Sequence, residues 1–117
     1  MSTQKIDVDA RGQQLGAMTV AQAIDAGRYV RVPAGAKSVQ VTVLDNAGVP
    51  STGSVHVDIH GSLDGIAYRK LYTLPIPDDG EASNIERVDD DCQYYLVAWT
   101  APTGNVSRIV FTVVSGG

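Results

Sequence analysis

The sequence predicts an all-β protein, an antiparallel β-sandwich of jelly-roll or immunoglobulin-like type with about seven to nine strands. Three observations carry this expectation. Apolar and polar residues alternate in short runs such as "SVQVTVL" and "SVHVDI", the pattern of strands with one packed and one wet face. Clusters of Gly, Pro, Asn and Asp, which reverse the chain, separate these runs. The chain has 117 residues, enough for one domain that buries roughly two thirds of its unfolded surface. Its wealth of Ala, Val and Gly, with no long charged helix-forming stretch, favours strands joined by turns.

The first strand is expected over residues 4–9, where Ile6 and Val8 share a face. Residues 1–16 as a whole read as an N-terminal arm or edge strand, and residues 17–117 as the single sandwich domain. Deleting residues 2–14 is therefore expected to leave the sandwich folded. Residues 18–24, "MTVAQAI", read either as a second strand or as one helical turn, since Ala and Gln suit a helix. A strand over residues 29–32 closes at Pro33 and Gly35. In "SVQVTVL", Val39, Val41 and Val43 alternate with Gln40 and Thr42, and the turn-rich "DNAGVPSTG" leads to a strand over residues 55–60. These two strands are expected to form a hairpin with a long loop, the kind of loop that often carries a binding function.

After "GSLDG", whose Asp64 and Gly65 supply the chemistry of a tight reversal, residues 68–74 return as a strand. That strand should stop at Pro75 and Pro77, which cannot donate to a ladder. A short strand near residues 85–88 precedes the acidic run Asp89, Asp90 and Asp91. The last two segments, "QYYLVAWTAP" and "VSRIVFTVV", are apolar on both faces. They are expected at central positions or under a neighbouring subunit, joined as a closing hairpin at "APTGN". Val41, Val57, Val97, Trp99 and Phe111 are the predicted inward-facing core.

Several function classes find no support. A single cysteine, Cys92, allows no intrachain disulfide, zinc ribbon or redox CxxC motif. The polar start "MSTQKIDVDARGQQ" has no apolar signal region, and no apolar run approaches the roughly 18 residues of a membrane span, so neither export nor a membrane partner is expected. The formal net charge is −4, with basic residues scattered except at Arg69 and Lys70, which argues against a nucleic-acid partner.

Three constellations could carry chemistry. His56, Asp58 and His60 lie on one strand face, alternate residues standing about 6.5 Å apart, near enough for two imidazoles to share a metal. They lack the further ligand that a metal site needs, so the expectation is a solvated face with no metal and no cofactor. The acidic segments "PDDGEAS" and "VDDDCQ" offer oxygens for calcium without EF-hand spacing, and read as exposed, solubilising turns. Cys92 follows three aspartates, whose charge should suppress its thiolate. No GxSxG elbow, phosphate loop or dinucleotide fingerprint is present, and no catalytic residue is assigned.

Within "GSLDGIAYRKLYTL" the turn followed by an aromatic resembles discoidin-type carbohydrate- and lipid-binding domains. There the aromatic is a tryptophan and an "RYVRI"-like strand comes later. Here Tyr68 takes the aromatic's place, and "RYVRV" at residues 28–32 precedes the turn. The arrangement "V-x-V-x-I-x-GSLDG-x-x-Y", followed by an acidic loop and "QYYLVAWTAPTGNVSRIVFTVV", is similar to small virion proteins of tailed bacteriophages over residues 39–114.

That resemblance implies a compact, non-enzymatic β-sandwich: a capsid decoration or cement protein, or a tail- or fibre-associated component. It would bind the major capsid protein or other virion proteins and self-associate as a symmetric homo-oligomer, in a virion assembled in the host cytoplasm. The alternative from another class is a carbohydrate-binding module that uses Tyr68, Tyr72, Tyr94 or Trp99 as stacking platforms.

Overall fold

Along residues 2–115, which are those the computed structural model describes, the chain forms β1 (Ser2–Asp9), α1 (Val20–Asp25), β2 (Val30–Arg31), β3 (Gly35–Leu44), β4 (Val55–Ser62), β5 (Arg69–Ile76), β6 (Ser83–Asp90), β7 (Tyr94–Trp99) and β8 (Arg108–Ser115). The predicted bounds 1–16 and 17–117 include Met1, Gly116 and Gly117, which lie outside the described residues. Strand pairing is nested: β1 with β8, β2 with β7, β3 with β6 and β4 with β5, all antiparallel. Two further ladders, β3–β8 and β4–β7, complete a sheet A of order β1-β8-β3-β6 and a sheet B of order β2-β7-β4-β5. A long hairpin rolled on itself gives this order, which makes the sandwich a jelly roll and not immunoglobulin-like.

The inner faces follow from alternation. Val39, Val41 and Val43 of β3, Val57 and Ile59 of β4, Val97 and Trp99 of β7, and Ile109, Phe111 and Val113 of β8 meet in one buried cluster. All five predicted core residues belong to it. The doubly apolar strands β7 and β8 hold central positions in their sheets. β7 also has a covered outer face: α1 packs on it, and Ala23, Leu96 and Ala98 are buried. That helix begins with a capping box, in which Thr19 Oγ1 accepts from Gln22 N–H and the Gln22 side chain accepts from Thr19 N–H. The helical reading of residues 18–24 is therefore the right one.

Two expected hairpins do not form. β3 lies in sheet A and β4 in sheet B, so "DNAGVPSTG" crosses between sheets; the "APTGN" loop likewise carries β7 of sheet B to β8 of sheet A. The crossing loops touch: a Cβ on Gly53 would sit 2.0 Å from Thr103 O. Turn-forming residues reverse a chain without specifying which sheet receives it, and here the packing of both inner faces decides. Among the described residues only the β4–β5 reversal is a true hairpin.

β5 also runs through Pro75 to Ile76. An edge strand tolerates this, because the proline nitrogen can face away from the ladder. At the other end of the chain, β1 is an edge strand whose Ile6 and Val8 join the core. The helix is the only one among the described residues, and no helix there is long and apolar enough to cross a membrane.

Candidate functional site

The row His56, Asp58 and His60 lies on the outer face of sheet B. Asp58 Oδ1 accepts from Thr73 Oγ1 at 2.7 Å across the β4–β5 ladder, and His56 is exposed. His60 is half-buried beside Leu96 and Lys70. Burial lowers its pKa, opposed by Asp58 and assisted by Lys70, and its Nδ1 is buried with no hydrogen-bond partner. Among the described residues no three His, Cys, Asp or Glu side chains gather closely enough to hold a metal ion.

The acidic run contains one inward member. Asp89 is exposed, whereas Asp90, two residues after the buried Val88, turns toward the interior, which corrects the reading of this run as wholly solvated. Asp90 Oδ1 accepts from Tyr95 Oη and from the Cys92 N–H at 2.9 Å, and Oδ2 accepts from Tyr72 Oη at 2.9 Å. The buried Lys37 ammonium stands 3.7 Å from Oδ1 and donates to Gly35 O at 2.7 Å and Asp90 O at 3.1 Å.

Burial pulls the Asp90 pKa upward, but the donated hydrogen bonds and Lys37 outweigh it and hold the carboxyl below its usual value. Burial and the same carboxylate push Tyr72 up to about 12 and raise Tyr95 further. Cys92 is raised by burial and by Asp90, which disfavours a nucleophilic thiolate. The cluster ties β3 and β6 of sheet A to β5 and β7 of sheet B.

An exposed surface forms where β4 turns into β5. Asp64 Oδ1 accepts from Ile66 N–H at 2.8 Å and Ala67 N–H at 3.1 Å, and also from Ser62 Oγ at 2.8 Å. The Ser62 hydroxyl accepts in turn from the Asp64 and Gly65 N–H groups. Gly65 has φ +74°, and a Cβ there would meet the Tyr94 ring at 3.1 Å, so glycine lets the loop rest on that ring. These bonds lower the Asp64 pKa, the Ile66 N–H contributing most.

On this fixed loop Leu63 is 70% and Ile66 79% exposed. Beside them Tyr29, 51% exposed, meets Tyr94 with ring centroids 6.3 Å apart and planes tilted by 53°. Arg31 Cζ lies 5.3 Å from the Tyr94 centroid. Tyr68 adjoins the group; burial raises its pKa, as do the neighbouring Tyr29 and Tyr94.

Of the aromatics predicted as stacking platforms, Tyr68 and Tyr94 reach this surface. Trp99 is buried, its Nε1 donating to Gly16 O at 2.9 Å, and the hydroxyl of half-buried Tyr72 is committed to Asp90. Leu63, Ile66 and Tyr29 join Tyr68 and Tyr94 there, beyond the aromatics that the sequence singles out. Their signal was available: two large aliphatics flank Asp-Gly in a turn with no strand face to receive them.

At the opposite end of the sandwich an open polar cleft of about 360 Å³ lies between the β1–α1 and β3–β4 connections, lined by Asp9, Arg11, Asp45, Asn46 and Arg108 among others. The Arg108 guanidinium is already engaged there, forming a two-point ion pair with Asp7 at 2.8 and 2.5 Å.

No family model and no curated protein matches the chain. Among solved structures it is similar to an adhesin domain of Lys-gingipain from Porphyromonas gingivalis, with 15% identity over 75% of this chain and TM-score 0.49; the chain spans 60% of that domain's length. A cowpea mosaic virus empty particle protein is similar at 15% identity over 96% of this chain and 70% of its own, TM-score 0.48. So is a carbohydrate-binding module of Cellvibrio mixtus lichenase 5A in complex with cellotriose, at 13% identity over 95% of this chain and 97% of its own, TM-score 0.48. The neighbours are β-sandwich proteins of different callings.

Proposed function

We propose that this chain is a non-enzymatic structural protein of a phage virion, a capsid decoration or cement module that binds the assembled lattice in several copies. Because a jelly roll serves capsid proteins and lectins alike, the fold alone does not choose. The observation that carries the proposal is the fixed β4–β5 loop, which holds Leu63 and Ile66 out in solvent. Two large aliphatics ordered by five hydrogen bonds around Ser62 and Asp64 contribute little to folding. They form a preorganised anchor that enters a partner's pocket with little ordering cost. Tyr29, Tyr94 and Arg31 beside them are residue types concentrated at binding hot spots. Docking only on the assembled lattice would stabilise it by mass action.

Co-purification tests the proposal. The protein is expected in purified virions at a copy number set by capsid symmetry, and the double variant Leu63→Ser, Ile66→Ser is expected to fold but to lose co-sedimentation with capsids. Its absence from virions would defeat the reading, and a copy number matched to the tail would place it there or on a fibre instead. The pair of exposed Tyr29 and half-buried Tyr94, with Arg31, favours a second reading, a carbohydrate-binding module, which predicts sugar-dependent quenching of tyrosine fluorescence.

A further inference from the structure

The β6 edge of sheet A is open. Val43 N–H donates to Ala82 O at 2.8 Å. With Thr42 paired to Ser83 and Val41 to Asn84, antiparallel geometry makes Val41/Asn84 and Val39/Glu86 the mutually bonded pairs. Ser83, Ile85 and Arg87 therefore turn their N–H and C=O groups away from β3. Outside the ladder, no hydrogen bond among the described residues involves these three.

The other edges are blunted. On β1, Asp7 O accepts from Arg28 Nη1 at 3.2 Å. β5 contains Pro75, whose carbonyl accepts from Asn84 Nδ2 at 2.9 Å, and β2 has only two residues. β6 alone combines eight residues with a large exposed aliphatic in mid-strand, Ile85 at 64%. A free strand edge of that kind is a template for pairing.

The segment Ser-Asn-Ile-Glu-Arg, residues 83–87, is complementary to itself when reversed. Centred on Ile85, an antiparallel pair sets Ile85 against Ile85, the Glu86 carboxylate against the Asn84 carboxamide, and the Arg87 guanidinium against the Ser83 hydroxyl. Centring the pair on Glu86 or Arg87 would instead oppose two like charges, which destabilises a ladder. We infer that β6 pairs with β6 of a second copy across a two-fold axis through Ile85, joining two four-stranded sheets A into one of eight strands. This deepens the reading of the chain as a self-associating virion module and rests on that reading; the Leu63 and Ile66 surface stays free for the lattice.

Sedimentation equilibrium of the full chain is the test, with twice the 12.3 kDa chain mass expected. Ile85→Pro removes an N–H that the β3 ladder does not use. It should therefore retain the far-UV circular dichroism of the fold while raising the dimer Kd at least about tenfold. Ile85→Lys, which alters no backbone group, should do the same and decides the matter if the proline variant unfolds.

A monomeric wild type overturns the inference. So does a trimer or larger ring, because an isologous strand pair closes at two copies. Dimers that survive both substitutions would leave self-association standing and remove β6 as its surface. A monomer whose lattice binding is lost in Ile85→Lys would make a strand of another protein the occupant. Capsid co-sedimentation by an obligate monomer would sink this inference while leaving the docking reading intact.

Discussion

Tyr72 Oη, on edge strand β5, donates to Asp90 Oδ2, on edge strand β6, at 2.9 Å, and with the Asn84–Pro75 bond this joins the two sheets at their shared margin. Tyr95 reaches the other oxygen of the same carboxylate from the centre of sheet B, with the Lys37 ammonium behind it, 5.2 Å from the Tyr95 ring centroid. Each partner alone would be a buried polar group in want of a partner. Together they close one end of a sandwich whose core is otherwise apolar.

Asp90→Ala should therefore be costly, since it strips the acceptor from two tyrosine hydroxyls and leaves the Lys37 charge buried. A loss of about 3 kcal/mol is expected in urea unfolding. Asp90→Asn, which keeps one acceptor oxygen, should lose less. Equal midpoints for wild type and Asp90→Ala would show that the cluster is ornamental.

The same carboxylate shapes the acid limb of stability. Its folded pKa lies below the unfolded value, so its stabilisation is full above about pH 4 and is lost as pH falls through the folded value. Asp90→Asn should be less stable at neutral pH and lose less between pH 4 and pH 2. Parallel acid limbs in the two proteins would count against this.

His60 acts in a milder range. Burial depresses its folded pKa, so the fold favours the neutral ring. That contribution is present above the unfolded value of about 6.5 and is lost as pH falls below it. In an NMR titration His60 should titrate below the ordinary histidine value of about 6.5, and His60→Gln should flatten stability between about pH 6.5 and 5. A His60 midpoint above 6.5 would contradict the burial argument.

Phe111 is fully buried on central strand β8, with Ile6 of β1 and Val41 of β3 as its cross-strand neighbours. Phe111→Ala is expected to cost about 3 to 5 kcal/mol, a large part of a small domain's stability. Calorimetry should show a strongly depressed melting temperature. If the temperature hardly moved, the site would have to be one that collapses around the gap.

Removal of residues 2–14 should abolish the cooperative unfolding transition. Of the two expectations for this segment, arm or edge strand, the chain forms the edge strand: Ile6 and Val8 line the core, and β1 covers one edge of β8. A truncated chain with native-like melting would mean that β8 tolerates an open edge.

Alternation told most of the inner face in advance, because a half-buried strand must repeat every two residues. Val39, Val41 and Val43, Val57 and Ile59, and Phe111 and Val113 all obeyed it. Doubly apolar β7 and β8 announced central places for the same reason. Sheet membership was harder to read: a turn-rich loop such as residues 45–54 looks the same whether it joins neighbours in one sheet or crosses to the other. Asp90 hid within a run of like charges, although its even spacing from Val88 marked its direction. Leu63 and Ile66 escaped notice because they follow no period, and that irregularity is what distinguishes a presented side chain from a packed one.

β8 fills the middle of sheet A, between β1 and β3. While the protein is being made, β1 and β3 therefore leave the ribosome with the place between them empty, and sheet A cannot close until β8 clears the exit tunnel. Folding of the sandwich is thereby deferred until β8 has emerged and becomes a single event dominated by contacts remote in sequence, the slow regime for β proteins. A nascent chain halted before residue 108 would expose Ile6, Val8 and Val39 together, a target for chaperones and proteases; a chain that includes β8 hides them at once.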